Sequence, residues 1–90
     1  MKKHTEDRKE GTILEVRRLP AITPPICIHK VEFIDGKFAV VRCVKNLCFT
    51  PGNSITRDAE GWHYDNQIVK LLPFEYTAQT ESDRRFAELR

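Results

Sequence analysis

A chain of 90 residues, 40% hydrophobic and 31% charged, holds one globular domain and little more. Its net charge of +2 is spread along the sequence, which excludes the concentrated basic footprint of a strong nucleic-acid binder. No apolar run approaches the roughly 20 residues of a spanning helix, so no membrane partner is expected.

The first ten residues carry four basic and three acidic side chains and no apolar periodicity. With Gly11 they read as a mobile polar tail, residues 1–11. A basic start with no apolar run behind it is not a secretory-signal pattern. The cysteines, Cys27, Cys43 and Cys48, are an odd set. That favours free thiols and a cytoplasmic location.

Residues 12–76 carry strand signals. Thr12–Leu19 is a first strand whose apolar residues alternate imperfectly, and Pro20 ends it by removing a ladder donor. Ala21 to Pro25 is a rigid extended connector, because residues before proline avoid helical angles. Ile26–Lys45 then forms a hairpin about Asp35-Gly36, a dipeptide that tolerates positive φ. A two-residue turn there pairs Phe33 with Phe38, Val31 with Val40, His29 with Arg42 and Cys27 with Val44. Alternation gives this hairpin an apolar face on which only His29 and Arg42 are polar.

Pro51-Gly52 is a turn. Ser54–Arg57 and Trp62–Asp65 form a second hairpin across Asp58-Ala59-Glu60-Gly61, with a glycine bulge at Gly61. In that register Trp62 and Tyr64 share a face with Thr56, while His63 lies beside Arg57 on the other. Gln67–Leu72 is a last strand, stopped by Pro73. Residues 77–90 are a connector and a short C-terminal helix. Thr80 or Ser82 is a possible cap, Glu81 pairs with Arg85, and Phe86 and Leu89 form a narrow apolar edge. The expected fold is mainly β: an SH3-like or partly open barrel of five to six strands with a short C-terminal helix.

The run Thr50-Pro51-Gly52, Asp58-Ala59-Glu60-Gly61-Trp62 and Ile68-Val69-Lys70-Leu71-Leu72-Pro73 resembles the layout of small SH3-like barrels, including those encoded by phages and prophages. The resemblance covers residues 45–75 and implies a fold, and with it a possible phage or prophage accessory role.

Chemistry-bearing residues are few. Cys27, His29, Cys43 and Cys48 supply four zinc-type ligands, but their spacing is unlike a zinc knuckle. The two-residue turn also sends Cys43 to the face opposite Cys27 and His29. No metal and no cofactor are expected. Asp58 and Glu60 lie at a solvated tip, where general acid–base work lacks desolvation, so no catalytic residue is assigned. The binding candidates are Arg57, Trp62, His63 and Tyr64 on the second hairpin, with Phe86 and Leu89 on the helix. Tryptophan, tyrosine and arginine are the residues of protein interfaces. The expectation is therefore a non-catalytic module that binds a protein, with self-association open through the helix or an edge strand. The alternative is a single-stranded nucleic-acid module that stacks bases on the same aromatics.

Overall fold

The computed structural model describes residues 9–19, 26–44 and 47–88. The proline connector at 20–25, residues 1–8 of the expected tail, and Leu89 lie outside them. Six strands precede one helix: β1 (Lys9–Leu19), β2 (Ile26–Phe33), β3 (Phe38–Val41), β4 (Ser54–Asp58), β5 (Gly61–Tyr64), β6 (Gln67–Val69) and α1 (Gln79–Glu88). The strands make one antiparallel sheet in the order β3-β2-β1-β4-β5-β6. Chain leaving β6 returns to β3, where Leu71 bridges Cys43 and Thr77 bridges Phe38. Four backbone hydrogen bonds tie it there: Val44 N to Lys70 O, Leu72 N to Arg42 O, and the reciprocal pair between Phe38 and Thr77. The two edges of the sheet are thus drawn together, leaving little ladder unpaired.

The longest strand, β1, begins earlier than its pattern suggests. Lys9, Glu10 and Gly11 pair with Arg57, Thr56 and Ile55 of β4, so this part of the expected polar tail is sheet. Gly11 is what lets the strand pass. A Cβ there would lie 2.6 Å from Val31 Cγ1 and 2.8 Å from the Phe33 ring. A break in register between Ile13 and Glu15 accounts for the imperfect alternation. Such a bulge moves all later side chains to the other face. Ile13 packs in the main core with Val31, Phe33, Val41 and Ile55, whereas Leu19 packs with Ile26, Ile28 and Phe86. One strand therefore serves two cores.

In the first hairpin the pairing differs by one residue from the two-residue turn. His29 pairs with Val41, Val31 with Ala39 and Glu32 with Phe38. Phe33 N donates to Lys37 O, and Gly36 N donates to Phe33 O. Three residues, Ile34, Asp35 and Gly36, form the loop, and Gly36 takes a φ of +87°. This is a type I turn closed by a left-handed glycine. The core face accordingly joins Phe33, Val31 and His29 to Ala39, Val41 and Cys43. Phe38, Val40 and Arg42 lie on the other face.

That other face is where α1 docks. Even-numbered β2 residues Ile26 and Ile28 pack against Phe86, which is 5% exposed. A helix of ten residues is marginal alone, and burying one phenylalanine contributes about 1.5–3 kcal/mol, so this contact decides whether it stays. Neither expected cap is used. Ser82 N bonds to Ala78 O, and the buried Ser82 hydroxyl donates back to Gln79 O within the helix. The Glu81–Arg85 pair forms at 2.8 Å. Arg17 lies over the Phe86 ring and donates to Phe86 O at 2.6 Å, closing the last turn. Lys30 joins three elements, bonding Glu15 of β1 and Asp83 of α1, each at 2.7 Å.

Candidate functional site: the aromatic groove and the cysteine clasp

The second hairpin also has its own register. Arg57 pairs with Trp62, Thr56 with His63 and Ile55 with Tyr64. The turn is Ala59-Glu60, held by Asp58 Oδ1 accepting from Glu60 N at 2.8 Å, and Gly61 takes a φ of +122°. The correction matters for the site. Arg57 and Trp62, expected on opposite faces, share one.

Trp62 is half-buried, tilted against Phe33 at 6.0 Å and against Phe74 at 5.8 Å. Tyr76 stands edge-on to both Phe33 and Phe74 and is 37% exposed, with the Lys9 ammonium over its ring. Arg57, Trp62, Leu71, Leu72, Phe74 and Tyr76 line a shallow groove of about 250 Å³. Arg57 is exposed and makes no ion pair with any described residue. Aromatic surface beside an exposed guanidinium is a binding arrangement, and the described residues that line it include no serine, cysteine or histidine nucleophile.

The other candidates divide. His63 points to the opposite face, with its ring nitrogens 3.8 Å from Asp58 and 3.5 Å from Glu60. These separations exceed hydrogen-bond length. The ligand atoms of Asp58, Glu60 and His63 lie within 4.8 Å of one another, so these residues could hold a cation. They sit on an exposed tip, where carboxylates gather without one. Tyr64 is structural. It stacks on Phe49 at 4.2 Å, and its oxygen accepts from Thr50 N at 2.8 Å and Asn53 Nδ2 at 3.1 Å. Phe86 is spent on the helix–sheet contact.

A second constellation joins residues that the sequence offers only as metal ligands. Cys27 and Cys48 are joined by a disulfide, with Cα atoms 5.3 Å apart, so two of the three expected free thiols are paired. Cys43 is the remaining thiol and is buried. An odd count permits one bridge and one core cysteine, so the inference from that count to a cytoplasmic location loses its ground. The separation of Cys43 from Cys27 and His29 also falls, because the three-residue loop returns Cys43 to their face.

His29 is fully buried next to this bridge. Its Nδ1 faces Val41 O at 3.0 Å, and its Nε2 accepts from Phe49 N at 2.9 Å. A carbonyl on one nitrogen and an N–H on the other fix the neutral tautomer with the proton on Nδ1. Burial lowers its pKa from the ordinary value, opposed by the bond to Val41. Its expected partner Arg42 is exposed on the other face. The signal lay in the sequence after all. The two-residue register puts an arginine on the core face, whereas the three-residue one puts Ala39, Val41 and Cys43 there.

Comparisons with protein-family models, curated proteins and solved structures returned no match.

Proposed function

We propose that this chain is a small non-catalytic binding module, and that the groove at Arg57, Trp62 and Tyr76 receives a segment of a protein partner. The observation that carries the reading is the shared face of Arg57 and Trp62. It puts an exposed cation against half-buried aromatic surface on a sheet whose edges are already tied, and such residues are the anchors of protein interfaces. The tied edges and docked helix leave self-association less support than a foreign partner. The curl of the sheet supports the SH3-like barrel, while the phage or prophage setting rests on the resemblance alone. Asp58, Glu60 and Asp65 on the same hairpin disfavour phosphate, which sets nucleic acid second.

The test uses Arg57→Glu, because Arg57 is exposed and its replacement leaves the core intact. Wild-type chain should retain a protein from its native host at high salt, and Arg57→Glu should lose it while keeping the wild-type unfolding midpoint. Trp62→Ala should lose it too. If the variants retain the partner, the groove is the wrong surface. Binding of single-stranded oligonucleotides that collapses steeply with salt would replace this reading with the nucleic-acid one.

A further inference from the structure

The loop between β3 and β4 is held down at several points. Cys48 is bonded to Cys27 of β2, and Phe49 N donates to His29, two residues further along the same strand face. The Phe49 ring stacks on His29 at 4.6 Å and on Tyr64 at 4.2 Å. The two sulfurs differ in environment. Cys27 is 2% exposed, in a strand covered on both faces, whereas Cys48 lies on the exposed side of the loop.

We infer that the Cys27–Cys48 bridge is a thiol-exchange site in which Cys48 is the sulfur open to attack and Cys27 is the resolving thiol. A thiolate must approach a disulfide in line with the bond it breaks, from the side away from the leaving sulfur. Cys48 is exposed to solvent and Cys27 is 2% exposed, so a thiolate arriving from solvent meets Cys48 first. The reactant is a small cysteine-type monothiol, of which glutathione is the probe. Its thiolate forms a bond to Cys48 Sγ, the Cys27–Cys48 bond breaks, and the electron pair leaves on Cys27 as thiolate. Cys27 can then attack Cys48 Sγ and expel the monothiol, restoring the bridge with no added oxidant. Alternatively a second monothiol attacks the sulfur of the first. That releases Cys48 as a thiol and the two monothiols as their own disulfide.

Two features shape the balance. Cys27 leaves into a buried site, where a thiolate is disfavoured, so re-closure competes strongly with full reduction. While Cys48 carries the adduct, the His29–Phe49 bond and the Phe49–Tyr64 stack still hold the loop beside its strand, keeping the resolving thiol near. Cys43 is buried and takes no part.

The experiment treats the air-oxidised full-length chain with reduced glutathione under native conditions, quenches in acid with an alkylating agent, and maps the peptides. Glutathione should be found on Cys48 at least about tenfold over Cys27 and Cys43. The adduct should accumulate further in Cys27→Ser, where the resolving thiol is gone. Should that variant fail to fold, the wild-type map decides alone. Adducts on Cys27, a new Cys27–Cys43 bridge, or three free thiols in the untreated chain would each overturn the inference.

Discussion

At the scale of single residues, His29 has the clearest measurable consequence. Burial favours its neutral form, so the unfolded chain takes up a proton before the folded one does. The stability it contributes is complete above its ordinary pKa of about 6.5 and is lost as pH falls from there towards the folded value. Across that window the unfolding free energy measured in urea should drop, with a slope of about 1.4 kcal/mol per pH unit. No charged side chain is among the causes of the shift. His29→Gln should be less stable at pH 8 but should lack this slope. An unchanged slope in the variant would assign the effect elsewhere. The carboxylates with lowered pKa values, Asp35 beside Lys9 and Glu81 beside Arg84 and Arg85, give up their contribution only at lower pH. The two effects are therefore separable.

At the scale of elements, what the sequence showed was which runs are strands; what it concealed was how they pair. All six strands and the helix lie where periodicity and turn residues put them, to within a few residues. Both hairpin registers differ by one residue, and the reason is the same in each. A glycine at positive φ marks that a turn exists, but not how many residues the turn spans, and a single residue exchanges the faces. The turn between β5 and β6 was missed altogether, because Asp65 and Asn66 adopt positive φ without a glycine. Trp62 as a groove residue was legible from its type, but its company with Arg57 was not. The helix is the element most dependent on one contact. Phe86→Ala should cost about 3 kcal/mol and release α1 from β2. Far-ultraviolet circular dichroism should show loss of helical signal at a temperature where the strands persist. A variant with unchanged helix content would mean that the ion pairs of Lys30, rather than the ring, hold the helix.

At the scale of the whole molecule, the fold is a short sheet that is tied rather than merely packed. Ninety residues bury a modest core, so each tie matters in proportion. The Cys27–Cys48 bridge closes a loop with a sequence separation of 21 residues, and for a loop of this size chain-entropy arguments give about 3 kcal/mol. Cys48→Ser should lower unfolding stability by about that amount. Wild-type chain unfolded in the presence of a strong reductant should match the variant. A large difference between them would mean that serine disturbs the loop beyond removing the bridge. The pairing of β1 with both β2 and β4 has a further consequence, in the order of synthesis. This strand leaves the ribosome before the other five, yet its N-terminal half has no partner on one edge until the chain has been made past Asp58. At about 5–20 residues per second that is a wait of seconds. During it, the polar stretch 9–12, where Gly11 passes Val31 and Phe33, stands as an open edge, available to any other strand in reach. The residue that makes the mature packing possible thus belongs to the stretch of β1 whose partners on β4 are made latest.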